Sequence, residues 1–269
     1  MGITAGRVAT DRLTFATRSA GHGELLLLLH GITAGAVVWD PVVTGLARHF
    51  RVVAVDQRGH GGTGGPETGY GPQDYVDDVG ALLDVLGPAR AVVGHSLGAR
   101  NAILAGAAFP DRIGAVVAVD YAAGIEPEVF ARLRASRRGG EGVLASEEDV
   151  QRAIRARSPL LPDDAVVRRS RHLYSVADGG FVPLASPSAI DQTLEAMDVD
   201  LVPALRDSTV PTLIVRGGES PFLSAQAYRS SIALRAGIEG AVVPDTDHFV
   251  PEEAPDAVTR LVRTFLASR

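Results

Sequence analysis

The chain has 269 residues, 46% of them hydrophobic, enough to bury one sizeable core with a smaller inserted unit. Its formal net charge is -6 and all 26 basic residues are arginines, a balance that argues against a phosphate-backbone partner. The absence of cysteine excludes disulfides, a thiol nucleophile and thiolate metal sites.

The opening stretch, MGITAGRVATDRLTF, carries no apolar segment of signal-peptide type. The longest aliphatic run, LLLLL at 25–29, is far too short to cross a bilayer. A cytoplasmic protein with no membrane contact is expected. From that run onward, short apolar segments alternate with helical patterns. Strands are predicted at 25–29, 51–56, 90–95, 115–120, 212–217 and 240–245. These runs are continuously apolar, as in a parallel sheet covered on both faces. Helical spacing spans 75–86, 100–109, 225–235 and 255–267. Such a βα alternation predicts an α/β sandwich. Between 121 and 201 the rhythm breaks into charged helical segments at 128–138 and 147–157, with no strong strand. We read this as a helical insertion, which divides the chain into core residues 1–120, an insertion at 121–201 and core residues 202–269. Its mixed arginines and acids suit a solvated helical surface. The alternative is that some of them, with Arg155, Arg157, Arg168 and Arg169 as candidates, face an anionic substrate.

Gly94-His95-Ser96-Leu97-Gly98 follows the strand at 90–95 and opens the next helical segment. A serine framed by glycines in a strand–turn–helix context is a nucleophile elbow. The sharp turn lifts the hydroxyl clear of the sheet, and the glycines leave room where strand and helix cross. His95 reads as a packing residue, because it is too close in sequence to reach the Ser96 hydroxyl. His30-Gly31 ends the LLLLL strand, and the next amide, Ile32, can join that of Leu97 as an oxyanion hole. His248, in PDTDHFVPEE after the last strand, is the candidate general base. His60, in DQRGHGGTG, reads as an organiser of its own loop. No cluster has metal-ligand spacing, and GHGGTGG at 59–65 fits neither a dinucleotide nor a Walker A loop. No cofactor is expected.

A carboxylate is still needed to orient His248 and stabilise its imidazolium. The turn after 212–217 reads GESP, with Ser220 and Pro221 where an aspartate would be expected and Glu219 as its only acid. Asp120, however, ends the strand at 115–120. Neighbouring parallel strands lie about 5 Å apart, so its carboxylate can serve a histidine otherwise served from the next strand. Asp120 is the favoured acid, with Glu219, Asp245 and Asp247 as alternatives.

Taken together, HGITAGAVVWD, DQRGHGGTGGPETGY, GHSLGARN, AVVAVD and VRGGESPFLS followed by DHF resemble the α/β-hydrolase superfamily over nearly the whole chain. Within it, LLHGITA, ETGY, GHSLGARN and the block GGFVPLASPSAIDQTLEAMDVDLVPALRDSTVPTLIVRGGES are similar to the enamide hydrolases of vitamin B6 degradation, which act on E-2-(acetamidomethylene)succinate. The resemblance implies an α/β-hydrolase fold, with a mostly parallel sheet flanked by helices and a helical cap after the sixth strand. It places the acid after that strand, at Asp120, and the oxyanion donors at Ile32 and Leu97. It also implies hydrolysis of a dicarboxylate enamide to acetate, ammonia, carbon dioxide and succinate semialdehyde, by a monomer or homodimer whose partner is a small molecule. An esterase, lactonase or carbon–carbon bond hydrolase would keep the same three residues. A non-catalytic binding protein of the same fold is the reading from a different class.

Overall fold

A computed structural model describes residues 2–138, 142–177 and 179–269. The strands are β1 (Thr4–Ala9), β2 (Thr14–Ala20), β3 (Leu25–Leu29), β4 (Arg51–Val55), β5 (Ala89–His95), β6 (Val116–Val119), β7 (Tyr174–Ala177), β8 (Gly180–Pro183), β9 (Thr212–Gly217) and β10 (Ile238–Val243). The helices are α1 (Asp40–Leu46), α2 (Pro72–Leu86), α3 (Leu97–Ala108), α4 (Pro127–Arg138), α5 (Glu147–Arg157), α6 (Asp163–His172), α7 (Pro187–Glu195), α8 (Val202–Asp207), α9 (Ala225–Ile232), α10 (Val250–Glu253) and α11 (Pro255–Ala267).

Eight strands form one sheet in the order β1-β2-β4-β3-β5-β6-β9-β10. The pairings from β4 through β10 are parallel, while β1 and β2 run antiparallel at one edge. Continuous apolar runs arise because each central strand feeds two cores. Leu25, Leu27 and Leu29 join one apolar cluster, and Leu26 and Leu28 join the cluster on the opposite face. All six expected strands form, with small changes at their ends. The sequence reading missed β1 and β2. β1 is almost wholly exposed, and β2 buries only alternate residues such as Phe15 and Thr17, so neither shows a continuous apolar run.

The insertion lies between β6 and β9, as expected, and holds α4 to α7, with α8 leading back into the sheet at β9. It also contains the β7–β8 hairpin, which the sequence reading did not anticipate. The hairpin has only four residues per strand and lacks a continuous apolar run. Helices α5 and α6 share a small apolar cluster of their own, built on Val150, Ile154, Leu161, Ala165 and Val166. The later part is tied to the main body. The Tyr75 hydroxyl lies 2.7 Å from that of Thr193, and the Tyr121 hydroxyl donates to the Met197 carbonyl at 2.8 Å. Among the described residues, no helix is long and apolar enough to cross a membrane.

Candidate active site

Because β3, β5, β6 and β9 are parallel neighbours, the chain leaves the sheet on one side after Leu29, His95, Val119 and Gly217. That shared edge is where open α/β sheets place their ligands. Ser96 turns sharply there, with φ 52° and ψ -118°, a strained conformation for a residue with a side chain. Glycine makes the turn possible. A Cβ on Gly94 would strike the Gly98 carbonyl, and one on Gly98 would strike the Leu29 carbonyl. The Ser96 amide donates to Val119 O at 3.0 Å, and the Asp120 amide to Val215 O at 2.7 Å. The serine and the aspartate are thereby pinned one strand apart. Asp120 also has a positive φ, of 52°.

The side chains complete a continuous line. The Ser96 hydroxyl lies 3.0 Å from His248 Nε2, and His248 Nδ1 lies 2.7 Å from Asp120 Oδ2. A carboxylate oxygen facing a ring N–H accepts the bond, so Nδ1 carries the proton and Nε2 is free to accept one from Ser96. Asp120 is fully buried, and Ser96 is buried. Asp120 Oδ1 accepts the Gly217 amide at 3.0 Å, while Oδ2 also accepts the Ser220 hydroxyl at 2.5 Å. Of the alternative acids, Glu219 is exposed, and Asp247 accepts the Phe249 amide at 3.1 Å.

The His248 ring is packed between aromatic neighbours. Its centroid lies 4.5 Å from that of Phe222, 4.8 Å from His95 and 5.3 Å from Phe249. His95 does more than pack, because its Nε2 donates to the His248 carbonyl at 2.6 Å. Burial pushes its pKa well below the usual histidine range, with His248 and Arg169 adding to the shift. Gly217 passes so close to the Asp247 carbonyl that only a residue without a Cβ fits.

The loop after β3 approaches the elbow closely. A Cβ on Gly31 would lie 3.2 Å from Ser96 Cβ. Leu97 opens α3, so its amide has no partner within the helix. Two buried histidines stitch this loop to its neighbour. His60 Nε2 accepts the Thr33 amide at 3.3 Å while its Nδ1 donates to Arg58 O at 2.8 Å. His30 Nε2 accepts the Gln57 amide at 2.9 Å. Burial lowers His30 to about 4 and His60 to about 3, so both are neutral and fixed in one tautomer. His60 thus organises its loop, as its place in the sequence suggests.

The four candidate arginines separate into two pairs. Arg155 bonds Asp163 at 2.9 Å, and Arg157 donates to the Tyr174 hydroxyl at 3.1 Å, both at the surface. Arg168 and Arg169 instead face α10, the turn that follows His248. Arg169 grips Glu252 with Nε, 2.9 Å from Oε2, and with Nη2, and its guanidinium lies 4.6 Å from the Phe249 ring centre. Arg168 bonds Asp164 at 3.0 Å and lies 3.6 Å from Glu252. Its Nε and Nη2 are buried with no hydrogen-bond partner among the described residues. Glu252 and Gly217 were not singled out from the sequence, and Ser220 only as the place where an aspartate is missing, because their roles depend on contacts between distant segments that one sequence does not display.

A nucleophile elbow, a histidine on the loop after the last strand and an acid on a neighbouring strand define a hydrolase of the α/β type. The profile of the Alpha/beta hydrolase family matches residues 26–261, and the chain belongs to that family. It is 41% identical over 261 residues to 2-(acetamidomethylene)succinate hydrolase of Mesorhizobium japonicum, covering 97% of this chain and 94% of that one. A crystal structure of E-2-(acetamidomethylene)succinate hydrolase superposes with a TM-score of 0.94 at 40% identity, covering 99% of this chain and all of the other. N-formylmaleamate deformylase of Pseudomonas putida is 26% identical over 260 residues, covering 93% of this chain and 91% of that one. The chain is thus a serine-hydrolase-type α/β-hydrolase.

Proposed function

We propose that this enzyme hydrolyses the N-acyl bond of a small, carboxylate-bearing enamide such as E-2-(acetamidomethylene)succinate, with Ser96 as nucleophile, His248 as base and Asp120 as acid. The observation that carries this reading is the unbroken Ser96–His248–Asp120 line, in a chain 41% identical to a hydrolase of that substrate. Residues 1–120 and 202–269 form the core in this account, and 121–201 the cap that limits substrate size.

Ser96 Oγ attacks the acyl carbon while His248 Nε2 takes its proton. Asp120 offsets the positive charge that develops on the ring. The amides of Ile32 and Leu97 receive the negative charge that appears on the carbonyl oxygen. His248 then returns the proton to the departing fragment as the C–N bond breaks, and water attacks the acyl-serine to release acetate. An enamide conjugated to a carboxyl group spreads charge from nitrogen into that group, which makes the nitrogen a better leaving group than an ordinary amide. The released enamine tautomerises to an imine. Water converts the imine to ammonia and an aldehyde, and the carboxyl β to that aldehyde is lost as carbon dioxide.

For substrate carboxylates, support is strongest for Arg168. On the cap helix that faces the histidine loop, its buried Nε has no hydrogen-bond partner among the described residues, and its buried Nη2 has only a 3.6 Å ion pair with Glu252. Arg169 already serves Glu252, and Arg155 and Arg157 face outward. A hydrolysis panel tests the proposal. It comprises E-2-(acetamidomethylene)succinate, its monocarboxylate analogue, short p-nitrophenyl esters and lactones. Preference for the dicarboxylate enamide supports the reading, and preference for an ester or lactone by tenfold or more overturns the substrate class.

A further inference from the structure

Ser220 stands where the acid would be expected in the turn after β9, and its hydroxyl has three neighbours. It lies 2.5 Å from Asp120 Oδ2, and it accepts the amides of Phe222 and Leu223, each at 3.1 Å. A hydroxyl has one hydrogen and two lone pairs. The two amides occupy both lone pairs, so the hydrogen has a single direction left, toward Asp120. The oxygen that receives it, Oδ2, also receives the His248 Nδ1–H. The Gly217 amide holds the other oxygen. Asp120 Oδ2 is therefore fixed between a donor of set direction and the ring it must align.

We infer that Ser220 is a positioning residue for the reaction, whose hydroxyl holds the Asp120 carboxylate in the one orientation that presents Oδ2 to His248. This inference rests on the assignment of Ser96, His248 and Asp120 made above. The acid has moved one strand over, and the residue left at the other position braces it. A hydrogen bond to a buried carboxylate is charge-assisted and among the stronger ones in a protein. Its loss lets the carboxylate rotate, so the ring is aligned for only part of the time. Substrate binding does not depend on that alignment, whereas the chemical step does.

The test compares Ser220→Ala and Ser220→Thr with wild type, and repeats Ser220→Ala in an Asp120→Asn background, with p-nitrophenyl acetate as the probe. Ser220→Ala is expected to lower kcat about ten- to a hundredfold with KM within threefold, and Ser220→Thr to retain kcat within threefold. In the Asp120→Asn background the same change should cost less than threefold, because the group it acts through is gone. Wild-type kcat in Ser220→Ala would overturn the inference, as would an undiminished loss in the Asp120→Asn background or an equal loss in Ser220→Thr. If Ser220→Ala fails to fold because two amides lose their acceptor, Ser220→Cys keeps an acceptor but donates weakly. It should then lose at least fivefold in kcat, and a Cys variant at wild-type kcat overturns the inference. Ser96→Ala and Asp120→Asn are assayed alongside. Full turnover in those two would defeat the assignment of the three residues itself, a failure distinct from that of Ser220 alone.

Discussion

Replacing Asp120 with asparagine keeps the volume of the side chain and changes what it offers. The Gly217 amide, 3.0 Å from Oδ1, can still bond to an amide oxygen in that place. The –NH₂ group then falls at Oδ2, where the Ser220 hydroxyl at 2.5 Å and His248 Nδ1 at 2.7 Å both point their hydrogens. Three donors would face one another in a fully buried position. The ring escapes by moving its proton from Nδ1 to Nε2, and Nε2 then faces Ser96 with a proton already on it. A histidine in that tautomer cannot act as base. The expected loss in kcat is about 10²–10⁴, or roughly 3–5 kcal/mol of transition-state stabilisation, with KM nearly unchanged. Steady-state kinetics on one substrate measure it, with Glu219→Gln as the control. Glu219 is exposed, and its change should cost less than tenfold. A larger loss in Glu219→Gln, or an Asp120→Asn enzyme within tenfold of wild type, would refute this reasoning.

Three further outcomes are expected. Glu252→Gln removes the acid that two cap arginines share in a buried setting, which should cost about 3–5 kcal/mol and lower Tm by roughly 10 °C; a calorimetric Tm within 2 °C of wild type would contradict this. His30, His60 and His95 are all held below the usual histidine range, so unfolding takes up protons below about pH 6.5 and stability falls as pH drops toward their folded values. Glu253, pushed up to about 8 chiefly by burial, works in the opposite direction: its contribution is present at low pH and lost as pH rises toward 8. At about 1.4 kcal/mol per unit per group, the histidines win, and urea unfolding at pH 5.5 should give about 2 kcal/mol less stability than at pH 7; an increase would reverse the sign. Methyl esters of the substrate carboxylates should raise KM strongly, and equal kcat/KM for diacid and diester would remove the arginine role.

Much of the fold is legible in the sequence because burial on both faces writes itself as uninterrupted aliphatic runs, as in LLLLL. β1 and β2 escape that signal because an antiparallel edge buries only alternate residues. The elbow is legible because its glycines are forced by collisions that any side chain would create. His248 is marked by its place between the last strand and the last helix. Asp120 can be inferred from the empty aspartate place at Ser220-Pro221 and from strand adjacency. Its bracing by Ser220 needs the third dimension, since the two lie 100 residues apart. The same holds for Glu252, whose partners sit on a cap helix 83 residues away in sequence. Choosing among the arginines needs the fold as well, because charge alone does not separate a guanidinium that faces solvent from one beneath the cap.

The most direct test is acetate release from E-2-(acetamidomethylene)succinate by wild type and by Ser96→Ala, with folding of both checked by circular dichroism. Wild type should release acetate with saturable kinetics, and Ser96→Ala should be slower by roughly 10⁴–10⁶-fold with an unchanged spectrum. No acetate from a wild-type enzyme that still cleaves simple esters would contradict the substrate assignment. Turnover by Ser96→Ala within tenfold of wild type would contradict the mechanism.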